Sequence, residues 1–129
     1  MKVLVFGTFD QLHPGHIFFL DEAQKRGELY IVIARDINVK RIKGQSAVES
    51  QEKRKEAVQK AFPDARVIMG DREDFFVPVR SIHPDLIIFG YDQRLPQGIQ
   101  ETDFSCPVER SCAMEPSKYK SSLRRRGLP

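Results

Sequence analysis

Two histidines, three residues apart, lie in the segment of the chain that is best suited to chemistry. His13 and His16 are separated by Pro14 and Gly15, and Gly7 precedes them at the end of a short apolar run. Pro14 suits the first turn of a helix. Because residues three apart on a helix share a face, both histidine rings are expected to face the opening of the turn before this helix. Gly15 lacks a side chain and therefore lets a phosphate approach the backbone. The partial positive charge of a helix N-terminus favours the same ligand, so the segment is predicted to bind phosphate.

Fixed donors around a phosphate are what nucleotidyl transfer requires. Attack on the α-phosphorus of a nucleoside triphosphate builds negative charge on the phosphate oxygens and the leaving pyrophosphate, and preorganised donors stabilise that charge. Histidines at a helix start also occur for purely structural reasons. Because two rings, a glycine and a helix start converge on one segment, the residues favour the catalytic interpretation.

Short apolar runs alternate with segments of helical period along the chain. The predicted strands cover residues 2–6, 29–34, 65–69, 86–89 and 107–110, and the predicted helices cover residues 14–26, 51–62, 76–82 and 118–126. Ser50 is the predicted cap of the helix at 51–62. Residues 35–50 are polar and basic, and a mobile loop with one helical turn is predicted there.

This alternation predicts an α/β protein with Rossmann-like α/β/α layers around a parallel five-stranded sheet. Ligands of such sheets bind outside the carboxyl ends of the strands, where the strand order reverses. The turns at residues 7–16 and 90–94 both follow a predicted strand. We therefore expect these two turns to form the site together.

The composition is that of a globular domain. Of 129 residues, 40% are hydrophobic and 30% charged, a balance that argues against a disordered chain. We expect a single domain over residues 1–129. No apolar run approaches the ~20 residues that a membrane span needs, and the apolar start is too short for a signal peptide. The prediction is a cytoplasmic protein with no membrane contact.

Charge and cysteine content narrow the list of partners. The chain has 21 basic and 18 acidic residues, and the arginines at 124–126 account for the whole surplus of three. A nucleic-acid binder would show a broader basic face with aromatic side chains, so no nucleic-acid partner is expected. Cys106 and Cys112 lack further ligands nearby, so neither a disulfide framework nor a metal site is predicted, and both are expected to be buried small side chains.

The segment with the two histidines resembles the signature of the cytidylyltransferase-like nucleotidyltransferases, in which His-x-Gly-His follows a Gly-x-Phe-Asp turn. The resemblance covers nearly the whole chain. It implies a Rossmann-like fold and a reaction in which a nucleoside triphosphate and an acceptor give a nucleotidyl product and pyrophosphate. It also implies that His13 and His16 are catalytic, contacting the triphosphate and stabilising the transition state. The implied nucleotide-binding residues of this segment are Thr8, Phe9, His13, Pro14, Gly15 and His16.

Three further stretches, at residues 31–36, 40–44 and 89–93, resemble the archaeal-type FAD synthases. This resemblance implies ATP and FMN as substrates, FAD and pyrophosphate as products, and a divalent cation such as Mg²⁺ as cofactor. Asp92 would then bind the ribose or base of ATP, whereas its alternative is a turn-forming aspartate. A CTP:glycerol-3-phosphate cytidylyltransferase or related small-phosphate enzyme and a nucleotide-binding domain without turnover remain alternatives, and a homodimer is left open.

The C-terminal segment occupies the place of the family's second signature, Ile-Ser-Ser-Thr-x-x-Arg. Ser121 and Ser122 match its second serine and its threonine in spacing, and Arg125 matches its arginine. Tyr119 and Lys120 depart from it. By the resemblance to FAD synthases Tyr119 packs on the nucleotide, and the alternative is a solvated amphipathic tail.

Three other residues carry two interpretations each. Lys43 lies on the basic stretch where the resemblance places a lysine over the phosphates, but a solvated lysine fits as well. Arg54 matches an arginine of family members, or it is a surface arginine of its helix. Asp10 helps to hold a magnesium ion in one interpretation and caps the turn in the other.

Overall fold

A parallel sheet with helices on both faces forms the part of the chain that the structure, a computed structural model, describes: residues 1–91 and 93–111. Its strands are β1 (Lys2–Gly7), β2 (Glu28–Ile33), β3 (Arg66–Met69), β4 (Leu86–Phe89) and β5 (Val108–Arg110). Its helices are α1 (Pro14–Gln24), α2 (Asp36–Lys43), α3 (Gln51–Ala61) and α4 (Val77–Ile82), with a short 3₁₀ turn at Glu101–Asp103. The α/β class and the five-stranded parallel sheet predicted from the sequence are confirmed.

The central strand β1 is buried on both faces, which explains its continuous apolar sequence. Val3 and Val5 face one layer of the core together with residues of α1 and α3. Leu4 and Phe6 face the other layer together with residues of α4. Because side chains alternate along a strand, this single apolar run joins the two cores and fixes helices on both faces.

The strand order is β3-β2-β1-β4-β5. The chain adds β2 and β3 on one side of β1 and then crosses over to add β4 and β5 on the other side. β1 pairs with β2 from Lys2↔Glu28 to Gly7↔Ile33 and with β4 from Val3↔Leu86 to Val5↔Ile88. The order reverses between β1 and β4. The crevice for a ligand is therefore expected at the carboxyl ends of these two strands, where the turns after Gly7 and Phe89 begin.

The prediction of a loop with one helical turn at residues 35–50 is wrong, because α2 runs over eight residues, Asp36–Lys43. The polar and basic composition of the segment hid its amphipathic pattern, and Val39 is the one residue of α2 that is buried. The helix is held by tertiary contacts instead: the Asn38 amide donates to Asp71 O at 2.9 Å and the Arg41 guanidinium to Arg72 O at 3.0 Å. The basic last turn also complements the helix dipole.

The other predicted elements within the described residues lie within two residues of the observed ones. Ser50 caps α3 as expected, with its hydroxyl accepting from Lys53 N at 3.3 Å. Cys106 is half-buried against the core layer that contains α4, and burial raises the pKa of its thiol. In the described ranges, no helix has both the length and the apolar character to cross a bilayer. The predicted helix at 118–126 and Cys112 lie outside the described residues.

Candidate active site

The turn between β1 and α1 has a strained backbone. Phe9 and Gln11 both have φ of +50°, a left-handed conformation that costs a non-glycine residue on the order of 1–3 kcal/mol. Gly7 permits the turn, because a Cβ at this position would lie 2.4 Å from Cε2 of Phe9. The Phe9 ring folds back into the core and is 5% exposed. A nucleotide could therefore contact Phe9 only through the backbone of this residue. The ring of Phe9 packs edge-on against the ring of His16, with the two centroids 5.4 Å apart.

His13 and His16 cap α1 reciprocally. His13 is the N-cap, and its Nδ1 accepts from Gly15 N at 3.1 Å. Nδ1 of His16 accepts from His13 N at 3.3 Å, and the two rings stack with their centroids 3.7 Å apart. Because each Nδ1 accepts a hydrogen bond, the proton of each neutral ring resides on Nε2. The cap thus leaves two Nε2–H donors side by side at the carboxyl end of β1.

Gly15 allows this arrangement of the rings. A Cβ on residue 15 would lie 3.0 Å from Cε1 and 3.2 Å from Nδ1 of His13, so a side chain here would displace the ring. Pro14, which precedes it, is exposed at the first position of α1. The sequence-based expectation was that Gly15 makes room for a phosphate; the structure adds that it makes room for His13.

The environment of His16 keeps this imidazole uncharged. Burial of the ring, followed by the nearby His13 and the Lys43 ammonium, lowers its pKa from the ordinary 6.5 to about 4, and Asp10 opposes the shift. At neutral pH His16 is therefore a neutral donor through Nε2. Lys43 is exposed at the end of α2 and lies near enough to lower the pKa of both His16 and Asp10, so it faces this side of the molecule.

The titration of His16 gives a testable expectation. Between pH 6.5 and about 4 the unfolded chain takes up a proton that folded His16 does not. The free energy of unfolding should therefore fall as the pH is lowered through this window. We expect His16 to titrate near pH 4 by NMR, and His16→Gln to lose less stability than the wild type between pH 7 and pH 4.5 in urea denaturation. A His16 pKa near 6.5 would contradict the buried, neutral ring.

Asp10 joins the site turn to the connection before α3. Its Oδ2 accepts from Val48 N at 2.7 Å and its Oδ1 from Glu49 N at 2.9 Å. Burial opposes ionisation, but these hydrogen bonds and the charges of Arg54 and Lys43 outweigh it and lower the pKa of Asp10. The sequence left open a magnesium ligand or a cap of its own turn, whereas these contacts cap the backbone of the connection before α3. The backbone that Asp10 caps is 38 residues further along the chain.

Arg54 is fully buried, so its interpretation as a surface arginine is wrong. Nη1 donates to Thr8 O at 2.9 Å, Nε to Glu49 O at 3.1 Å and Nη2 to Asp36 Oδ1 at 2.7 Å. One guanidinium thus joins the half-buried Thr8 of the site turn to the starts of α2 and α3. A sequence signal existed: Arg54 and Val58 are four residues apart, which places the arginine in the buried stripe of α3.

At the carboxyl end of β4, the other side of the crevice is organised by Gln93 and Arg110, for which no role was predicted from the sequence. Gln93 accepts from Gly90 N through Oε1 and donates to Phe6 O through Nε2, both at 2.9 Å, and so bridges the ends of β4 and β1. Arg110 Nη1 donates to Gly90 O at 2.8 Å and to Gln93 O at 2.6 Å. Gln93 lies in the turn that follows the buried strand β4, four residues after Phe89, and a polar side chain in such a turn is the signal that could have identified it.

Two predicted nucleotide-binding residues, Asp92 and Tyr119, lie outside the described residues, as do Ser121, Ser122 and Arg125. Asp92 lies between two described residues that differ in their surroundings. Tyr91 is 59% exposed at the carboxyl end of β4, and Gln93 is held as described above. The roles of Asp92, Tyr119 and the other residues outside the described ranges stay predictions.

Comparisons with known proteins agree with this geometry. Residues 4–108 match the model of the cytidylyltransferase-like family, and the chain belongs to that family. It is similar to the FAD synthases of Ferroglobus placidus (42% identity, 95% of this chain and 84% of the relative) and Natronomonas pharaonis (39%, 88% and 84%). A solved lipopolysaccharide core biosynthesis protein from Thermoplasma volcanium superposes with a TM-score of 0.76 at 30% identity, over 89% of this chain and 98% of that one. The resemblance stated from the sequence is confirmed.

Proposed function

We infer that the chain is a nucleotidyltransferase that transfers AMP from ATP to FMN, giving FAD and pyrophosphate. The observation that carries the reaction is the histidine cap, which presents two Nε2–H donors at the point where the strand order reverses. The similarity to archaeal FAD synthases over most of the chain supports ATP and FMN as the substrates. These relatives favour FMN over glycerol 3-phosphate as the acceptor.

In this reaction a phosphate oxygen of FMN attacks the α-phosphorus of ATP. The bond between the α-phosphorus and the bridging oxygen of the pyrophosphate breaks, and pyrophosphate leaves with the electron pair. The Nε2–H groups of His13 and His16 would donate to phosphate oxygens, where negative charge grows in the transition state. Because His16 is neutral at pH 7, it contributes an oriented hydrogen bond rather than a full charge.

Other residues of the turn would bind the nucleotide. Pro14 and Gly15 lie between the two histidines, and Thr8 precedes them in the same turn. Lys43 supplies a positive charge on the same side. We assign Lys43 to the phosphates, since an ammonium on a flexible stem is suited to that ligand. Asp92 is assigned to the ribose or base, from the loop that Gln93 anchors to β1.

A divalent cation such as Mg²⁺ is proposed as the cofactor. Among the residues that the structure describes, no three histidine, cysteine, aspartate or glutamate side chains converge as a metal site. Both carboxylate oxygens of Asp10 already accept backbone N–H groups. This donor set fits a cation that arrives with the triphosphate, because Mg²⁺ keeps several waters and is held largely by substrate phosphates. Such a cation would neutralise part of the phosphate charge.

The test is to mix the protein with ATP, FMN and MgCl₂ and to follow FAD by chromatography and pyrophosphate by a coupled assay. A parallel reaction contains CTP and glycerol 3-phosphate. We expect FAD and pyrophosphate in equal amounts from the first mixture. Product from the second mixture alone would replace the proposal by the cytidylyltransferase. Tight ATP binding in calorimetry without turnover in either mixture would replace it by a binding domain.

A further inference from the structure

The strained turn before the histidines is held from outside by the connection between α2 and α3. Gln11 has a left-handed backbone, with φ of +50°, although it is not a glycine. Its N–H donates to Oε1 of Glu49 at 2.9 Å, and Glu49 N in turn donates to Oδ1 of Asp10. Glu49 and the adjacent residues 10 and 11 thus form a reciprocal pair of hydrogen bonds between segments 38 residues apart. A left-handed non-glycine residue persists only where its surroundings hold it.

The position of His13 depends on this turn. Gln11 precedes the N-cap histidine by two residues, and Leu12 between them packs against the core layer that contains α1. The stacking of the two rings at 3.7 Å and the hydrogen bond from His13 N require the His13 backbone to stay extended, with φ of −134°. A change of the Gln11 backbone would therefore move the first ring and expose the second.

We propose that Glu49 is a positioning residue for the nucleotidyl transfer, acting through the Gln11 N–H to hold His13 and His16 in their stacked arrangement. The inference rests on the proposed function, in which these two rings contact the phosphates. Glu49 itself touches no reacting atom. Its role requires an acceptor at the right distance, not a negative charge, because its partner is a neutral amide.

Two substitutions of Glu49 separate the effect of side-chain length from the effect of charge. Glu49→Gln keeps an acceptor oxygen at the same distance and loses the charge, whereas Glu49→Asp keeps the charge and is one methylene shorter. Gln11 is exposed, so water replaces the lost acceptor and both variants are expected to fold. Glu56→Asp, on the exposed side of α3, is the matched control for shortening a glutamate.

We expect Glu49→Asp to lower kcat for FAD formation on the order of tenfold or more, because small displacements of catalytic groups have effects of this size. The KM for ATP should change less than threefold, while Glu49→Gln and Glu56→Asp should stay within about threefold of the wild type. A Glu49→Asp enzyme with wild-type kcat would overturn the proposal. So would a Glu49→Gln enzyme that is as slow as Glu49→Asp, because charge and not position would then be responsible.

A second measurement is independent of the substrates. In Glu49→Asp the His16 ring should become more exposed, and its NMR pKa should rise from about 4 toward 6.5, whereas Glu49→Gln should keep the low value. An unchanged pKa in Glu49→Asp would overturn the positioning role whatever the enzyme transfers. If the wild type formed no FAD, the proposed function would fail, and this titration would still decide whether Glu49 holds the histidines.

Discussion

Replacing His16 by alanine is expected to lower kcat for FAD formation on the order of 100- to 1000-fold, which is the effect of removing one transition-state donor. The ring contributes twice. Its Nε2–H is proposed to stabilise the phosphate charge, and its Nδ1 accepts the hydrogen bond from His13 N that keeps the two rings stacked. Loss of the second contact should also misplace His13, so His13→Ala combined with His16→Ala is expected to cost less than the sum of the single changes.

Steady-state kinetics with ATP and FMN measure this effect, and circular dichroism verifies that the variant is folded. The matched control is His83→Asn. His83 ends α4 away from the site with φ of +55°, and asparagine tolerates this left-handed conformation. The control should retain full activity. A folded His16→Ala enzyme with wild-type turnover would exclude the histidine cap from the chemistry.

Replacing Arg54 by methionine is expected to lower the free energy of unfolding by about 2 kcal/mol, since it leaves two partly buried carbonyl groups without donors. Thr8 O and Glu49 O are these two groups, and each loses its hydrogen bond to the guanidinium. The third partner, Asp36, is 49% exposed, so water replaces the guanidinium there and this ion pair contributes little to the loss. Methionine keeps much of the apolar volume, so the unsatisfied carbonyls dominate the effect.

Urea denaturation measures the loss, with Lys53→Met as the control. Lys53 is the exposed neighbour of Arg54 on α3, so the same substitution there should change stability by no more than about 0.5 kcal/mol. Because Arg54 also holds Thr8 at the site turn, the folded fraction of Arg54→Met should turn over more slowly. Equal stability of the two methionine variants would contradict the hydrogen-bonding role of the buried guanidinium.

The sequence by itself determined the order of the strands, the class of fold and the segment of the candidate site. These features depend on local rules. The apolar runs at 2–6 and 86–89 are short and rich in β-branched residues, which favours buried strands, and Pro14 and Gly15 mark the start of α1 beside His13. The family is recognised from the same segment, because a motif of this length is seldom matched by chance. The local rules failed at α2, where polar and basic residues outnumber the apolar ones and a loop was predicted in place of a helix.

The tertiary structure alone decided which distant residues hold the two turns of the candidate site. Asp10 pairs with backbone 38 and 39 residues away, Arg54 with Thr8 46 residues away, and Gln93 with Phe6 87 residues away. A polar side chain of any of these types can hydrogen-bond either to water or to another residue. Which of the two occurs depends on how the connections between strands meet at one edge of the sheet. The low pKa of His16 also depends on the fold, because burial of its ring is the largest cause and Lys43, which lowers the pKa further, comes from the end of α2.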